Sequence, residues 1–310
     1  MFFNKRNLTK EKKGDSMIEF RQIELSDREW IDPILKKAEL MGCEYTFVNN
    51  YIWSFQYKLE IAYVEGFYCT RSGQETMEYG FPIGEGDLGK VLEMLIQDAS
   101  ERGEPFAMHA LMSEHVTLLD LIMPGKFEFT NNRDDCDYIY STEKLTNLAG
   151  KKLHGKRNHI ARFNDNPWSY EPITKENLDE CIKMNKEWCE KNECFESEAK
   201  LLEACAVMKA LSHFEEFNLL GGLLRMDGRV VAFTIGEPLN SNTFVVHVEK
   251  AFAEIQGAYP MINQQFVIHE CQEYEYVNRE EDMGEEGLRK AKMSYYPEIL
   301  LDKYRAIYKA

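Results

Sequence analysis

The stretch Phe244-Val-Val-His247-Val-Glu249-Lys250-Ala251, followed by Glu254-Ile-Gln-Gly257-Ala-Tyr259-Pro260, decides the fold. Its first eight residues are rich in β-branched and apolar side chains and read as a strand. A glycine turn follows, and then a polar-headed helix from Met261 to Gln272. A strand, a turn and a helix start leave free backbone N–H groups where an anion can sit. A second strand, Tyr274 to Asn278, leads into the acid-rich loop Arg279-Glu280-Glu281-Asp282 and then Gly287-Leu-Arg289-Lys290-Ala-Lys292. The donor-binding candidates are therefore Gly257, Tyr259 and Asn263 on the turn and helix, and Asn278 and Arg279 beyond the second strand.

Working upstream, Leu219 to Met226 and Arg229 to Gly236 form a hairpin about Asp227-Gly228, a dipeptide suited to a tight turn. Two helices precede it, one through Leu178, Ile182 and Trp188, the other through Leu201, Cys205, Met208 and Leu211. The first half has a similar order. A strand over Phe20–Leu25 is followed by a helix that Ser26 or Asp27 can cap. Two strands lie about Glu65-Gly66 and a third over 76–83. Asp87 caps an amphipathic helix stopped by Gly103, and Phe106–Leu111, a helix through 115–123 and strands over 127–140 complete the half. This order predicts two α+β domains, 17–150 and 151–310, with mixed, mostly antiparallel sheets flanked by helices.

Between them lies Lys151-Lys152-Leu-His154-Gly-Lys156-Arg157-Asn-His159-Ile-Ala-Arg162-Phe163, with five Lys/Arg and no acid. In a chain of net charge −16 such segregation is informative. It reads either as a solvated helix face or as a surface for phosphate, with Lys152, Lys156, Arg157 and Arg162 as the nucleic-acid-binding candidates. Leu153, Ile160 and Phe163 would anchor that helix. The overall acidity discourages broad contact with nucleic acid or anionic lipid, so any polyanion must meet a local basic patch.

With 310 residues, 44% hydrophobic and 29% charged, the chain is expected to fold as two globular domains. No run of about eighteen apolar residues is present, so no transmembrane segment is expected. Residues 1–16 are basic, lack an apolar core and read as a flexible tail rather than a secretory signal. Eight cysteines occur without a C-x-x-C pair, which points to buried free thiols in a reducing, cytoplasmic setting. Cys189 and Cys194 with a histidine are the nearest approach to a zinc set, and no metal is expected.

His247 and Glu249 alternate along one strand and share a face, where Glu249 could accept a proton from an amine and His247 tune it. The plainer reading is an ion pair. Arg289 and Lys292 lie three apart, so a helical turn brings them together, either to stabilise developing negative charge or to balance the acidic loop. Gly84-Glu-Gly86-Asp-Leu-Gly89 matches a dinucleotide fingerprint in letters only. Glu85 and Asp87 would face the pyrophosphate, and the preceding strand belongs to an antiparallel meander, so it is a turn and a cap.

From Met17 onward the chain resembles the phosphatidylglycerol lysyltransferase C-terminal domain family, related to the Fem-type aminoacyltransferases. The resemblance rests on Cys43-Glu-Tyr-Thr-Phe-Val-Asn-Asn-Tyr-Ile-Trp53, Lys152-Leu-His-Gly-Lys-Arg-Asn-His-Ile160, His247-Val-Glu-Lys-Ala251, Asn278-Arg-Glu-Glu-Asp282 and Gly287-Leu-Arg-Lys-Ala-Lys292. It implies tandem GNAT-like (acyl-CoA N-acyltransferase-like) domains and transfer of an aminoacyl group from aminoacyl-tRNA to an amine or hydroxyl. The acceptor would be a small molecule, a lipid headgroup or a peptide. Carried over by position, Lys292 would face the donor, Arg289 would assist it, and the 151–162 helix would touch tRNA. No cofactor is then required. Acetyl-CoA is disfavoured as donor, because Glu254 and Tyr259 stand where that superfold prefers a polar or basic residue and a small one. The alternatives are a CoA-dependent N-acetyltransferase with an atypical loop, or a non-catalytic small-ligand-binding protein on the same fold.

Overall fold

The computed structural model describes residues 18–309, so the basic stretch 1–16 lies outside the described residues. The chain runs β1 (Arg21–Gln22), α1 (Arg28–Lys37), α2 (Phe47–Trp53), β2 (Glu60–Val64), β3 (Phe67–Ser72), β4 (Glu78–Tyr79), β5 (Ile83–Gly84), α3 (Leu88–Glu101), β6 (Ala107–Leu111), α4 (Ser113–Ile122), β7 (Phe127–Asn131) and β8 (Asp137–Ser141). It continues as α5 (Thr142–Asn147), α6 (His154–Phe163), β9 (Trp168–Pro172), α7 (Leu178–Lys191), α8 (Glu198–Ser212), β10 (Leu220–Met226), β11 (Arg229–Pro238) and β12 (Thr243–Ala251). The last elements are α9 (Ala258–Glu270), β13 (Tyr276–Asn278), α10 (Glu286–Met293), β14 (Ile299–Leu301) and β15 (Tyr304–Tyr308).

These strands build two mixed sheets flanked by helices, as the sequence predicts. One has eight strands in the order β1-β2-β3-β4-β6-β15-β7, with β5 on β3; the other has seven, β14-β8-β13-β12-β11-β10-β9. Local chemistry explains the elements. Asp87 accepts from the Lys90 amide at 3.0 Å to start α3, whose Val91, Leu92, Leu95 and Ala99 all face the core. Asp227 and Gly228 take φ of 50° and 77°, so the β10–β11 turn has the left-handed backbone that suits strand twist. β11 is buried almost end to end because β10 and β12 flank it and helices cover it.

Two strands cross between the halves. Residues 127–140 read as the closing strands of the first half, yet β8 pairs with β13 and β14 in the second sheet. In return β15, the end of the chain, lies between β6 and β7 in the first sheet. The link between β14 and β15, Asp302-Lys303, thus steps from one sheet to the other.

Each sheet also carries a bulge at a histidine. On β12 the register passes from Ile235↔Val248 to Gly236↔Val246, leaving His247 over. On β6 it passes from Tyr304↔Leu111 to Ala306↔Met108, so His109 and Ala110 together oppose Arg305. Ala110 takes φ 53° there, and the Tyr45 hydroxyl donates to its carbonyl at 3.0 Å. Bulges of this kind re-aim side chains that regular alternation would place elsewhere.

Candidate functional site

A cavity of about 740 Å³ opens where the first sheet meets the loop after β13. Its walls are the 43–57 segment (Cys43, Glu44, Tyr45, Asn49, Trp53, Tyr57), the strands carrying Ser72, Glu78 and His109, the loop residues Glu281 and Met283, and Lys303. The 43–57 wall is fixed by α2, whose first turn is capped by the Thr46 hydroxyl accepting from the Asn49 amide at 3.1 Å.

Lys303 is the electrostatic centre of this wall. Its buried ammonium lies 2.7 Å from Asp137 Oδ1, 2.6 Å from Glu44 Oε1 and 3.7 Å from Glu281 Oε2. The opposing carboxylates outweigh burial and hold Lys303 charged, its pKa well above the ordinary value. Burial and the same carboxylates push the Cys43 thiol up, so it is not a nucleophilic thiolate. Cys43, Asp137 and Glu281 bring ligand atoms within 4.8 Å of one another, as a metal site would. Lys303 already supplies the cation that their charge calls for.

The loop between β13 and α10 bends sharply. Glu280, Met283 and Gly284 have φ of 57°, 51° and 78°, the first two in a region that L-residues avoid. Several of the residues predicted for catalysis hold that bend. Lys292 donates to the carbonyls of Arg279 (2.6 Å), Glu280 (3.1 Å) and Glu281. Arg289 grips Asp282 at 2.7 and 2.9 Å and Asp134 at 2.6 Å. Asp282 also accepts from Tyr138 Oη, and although burial opposes it, these partners bring its pKa down to about 2. Asn278, on β13, accepts from the Glu280 amide at 2.7 Å and donates to Asp137 at 2.8 Å. The two cations shape the segment that carries Glu281 and Met283 to the cavity.

His247 and Glu249 are separate features. The bulge places His247 Nδ1 2.8 Å from Glu280 and Nε2 3.1 Å from Glu237. Glu249 accepts from Arg279 at 2.8 Å and from Asn263 at 3.0 Å. Arg279 lies against the rings of Tyr140 and Tyr295. Neither His247 nor Glu249 lines the cavity.

The donor-binding candidates divide. Gly257 begins α9 with φ 88°, but a Cβ added there would lie 2.2 Å from the His159 carbonyl, so α6 packs directly onto the turn. Tyr259 accepts from the Trp188 indole at 3.3 Å, and Glu254 pairs with Lys191. Glycine is required at 257 both by its backbone and by that close approach.

Leu153, at the start of the basic helix α6, and Ile160 and Phe163 within it are buried, as the sequence predicts. Arg157 is turned to the carbonyls of Leu148 and Gly150. Lys156 sits 3.8 Å over the Tyr295 ring, where burial and Arg279 lower its pKa to about 8. Lys152 lies 5.0 Å over Tyr296, and Lys151, His154 and Arg162 are exposed. α6 therefore offers a smaller basic face than its composition suggests.

Sequence reasoning did not single out Glu44, His109 and Lys303, which line the cavity. Glu44 lies inside the segment that carried the resemblance, which is the one available signal. His109 depends on a bulge, and Lys303 on a strand exchange, and neither leaves a local pattern.

The family model for phosphatidylglycerol lysyltransferase, C-terminal, matches residues 36–307. Among solved structures, a conserved protein of unknown function from Bacteroides thetaiotaomicron is 43% identical, with a TM-score of 0.90 over 94% of this chain and 100% of that one. A C-terminal domain assigned to a lysylphosphatidylglycerol synthetase of Agrobacterium fabrum shares the fold, with a TM-score of 0.66 at 14% identity over 92% of each chain. An uncharacterised protein of Mycoplasmoides gallisepticum is 26% identical over 186 residues, and the match spans 54% of either protein.

Proposed function

The chain belongs to the phosphatidylglycerol lysyltransferase C-terminal family, and from that membership we propose that it is an aminoacyltransferase. It takes an aminoacyl group from aminoacyl-tRNA in the cytoplasm and passes it to an amine or hydroxyl on a small molecule, lipid headgroup or peptide. The observation that carries this reading is the cavity of about 740 Å³ beside Lys303 and Glu281. Its volume falls within the roughly 300–1,000 Å³ of small-ligand sites. Five carboxylates face two fixed cations around it, Lys303 and Arg305, which favours a ligand bearing an ammonium group, as every aminoacyl ester does.

The turn at Gly257 is unsuited to a pyrophosphate, because the His159 carbonyl fills its approach and Glu254 lies beside it. That supports aminoacyl-tRNA over acetyl-CoA as donor. The exposed residues on and just before α6, Lys151, Lys152, His154 and Arg162, are the surface we assign to tRNA phosphates. Lys292 and Arg289 act as positioning residues for the 279–284 loop. Among the described residues no helix is long and apolar enough to cross a membrane.

Bulk tRNA charged with labelled amino acids, mixed with soluble amines and with phosphatidylglycerol vesicles in parallel, tests the reading. Transfer of label from tRNA to one acceptor class, for one or a few amino acids, is the expected result. Absence of transfer across all amino acids and both acceptor classes overturns it.

A further inference from the structure

We propose that Glu44 is the group that takes the proton from an amine acceptor bound in the cavity. The proposal rests on the aminoacyl-transfer reading above and deepens it by naming an amine as the acceptor class.

The choice follows from which carboxylates are free. Of the five that line the cavity, Glu78 is engaged by Arg305 at 2.7 Å and Asp134 by Arg289 at 2.6 Å. Asp135 is exposed at the lip. Glu281 reaches the Cys43 thiol at 3.4 Å and lies 3.7 Å from Lys303. Glu44 differs from all of them. Its Oε1 is held by Lys303 at 2.6 Å, while its Oε2 is buried and has no hydrogen-bond partner. Native proteins seldom leave a buried carboxylate oxygen without a donor, and Glu44 is among the residues lining the cavity, so its carboxylate marks a place for a ligand N–H. Room for that oxygen depends on Gly42, where a Cβ would lie 3.1 Å from Glu44 Oε2.

The electrostatics fit a proton acceptor at neutral pH. Burial pushes Glu44 up to about 7, with Asp137 and Glu281 adding to the rise and Lys303 opposing it. The other ionisable groups facing it are the thiol of Cys43 and the phenol of Tyr45, both held protonated by burial. A base tuned near the working pH is the one that exchanges protons most efficiently.

In the reaction, the neutral amine attacks the ester carbonyl of the aminoacyl donor and a C–N bond forms. The proton on that nitrogen passes to Glu44, the C–O bond to the donor breaks, and Glu44 returns the proton to the departing hydroxyl oxygen. Glu44 ends as it began. His109 is the rival base: it lines the same cavity, its Nε2 lies 3.0 Å from Ser72 Oγ, and burial lowers its pKa below the ordinary value.

The test uses the transfer assay with an amine acceptor and the full chain. Glu44→Gln should lower kcat roughly 100-fold or more, leave KM for aminoacyl-tRNA unchanged and abolish the rising limb of the pH–rate profile near 7. Glu44→Asp should keep that limb at an intermediate rate, and carries the test if the Gln variant melts early. A Glu44→Gln rate close to that of the wild type with the limb unmoved overturns the assignment. So does a limb that disappears only in His109→Gln. A wild type that transfers from no aminoacyl-tRNA brings down the transferase reading itself, and the role of Glu44 with it.

Discussion

His247 shows what a neighbourhood does to a side chain. Burial alone would keep it neutral, but Glu237 and Glu280 lift its pKa to about 9. The unfolded value is about 6.5, so the native state holds a proton that the unfolded chain releases between those two values. The stability contributed is fully present below pH 6.5 and is lost as pH rises through 9. It amounts to on the order of 3 kcal/mol. Thermal melts at pH 6 and pH 9.5 should therefore show a gap between wild type and His247→Gln that closes at the higher pH. A constant gap contradicts the double ion pair. Lys292 makes a related point. It serves three backbone carbonyls, and Lys292→Met should cost about 2–4 kcal/mol in a urea titration by stranding buried acceptors. A change within about 0.5 kcal/mol would place that ammonium elsewhere. Sequence identified His247 as sharing a strand face with Glu249, and Lys292 as one helical turn from Arg289 after the acid-rich loop. Spacing alone does not distinguish a lysine aimed at a ligand from one aimed at its own backbone.

At the level of elements, α6 was legible as a helix with three buried anchors because its apolar residues recur at helical spacing. Its charge was less legible. Arg157 is consumed by the carbonyls at the end of α5, and Lys156 leans on Tyr295, whereas Arg162 remains exposed. Arg162→Ala should weaken tRNA binding uniformly across sequences and reduce the slope of log affinity against log salt by about 1. Arg157→Ala should leave that slope unchanged and lower the melting temperature instead. A filter-binding series over salt separates the two, and equal slope changes would mean that both arginines meet phosphate. The bulges at His109 and His247 were illegible for a simple reason. Strand alternation assigns faces by counting in twos, and an extra residue resets the count without altering composition.

Across the whole molecule, the class of fold and most helices and central strands could be read from hydrophobic period and turn chemistry. The closure could not. β8 and β15 exchange sheets, and short strands of three to five residues that pair with partners more than 100 positions away leave no local trace. The exchange predicts that removing residues 304–310 unfolds the first sheet, since among the described residues β15 is the strand that joins β6 to β7. Circular dichroism of that truncation should show loss of the cooperative transition, and an unchanged melt would contradict the topology. The same exchange carries Lys303 to the cavity, so fold and site share one dependence. The claim that this cavity holds the aminoacyl end of the donor is tested most directly with non-hydrolysable 3′-aminoacylamido-adenosines in a thermal-shift titration. At least one should stabilise the wild type saturably and fail to stabilise Thr130→Trp, which sets a large ring at an exposed position on the cavity wall. No shift with any aminoacyl group, or a shift indifferent to that ring, would contradict it.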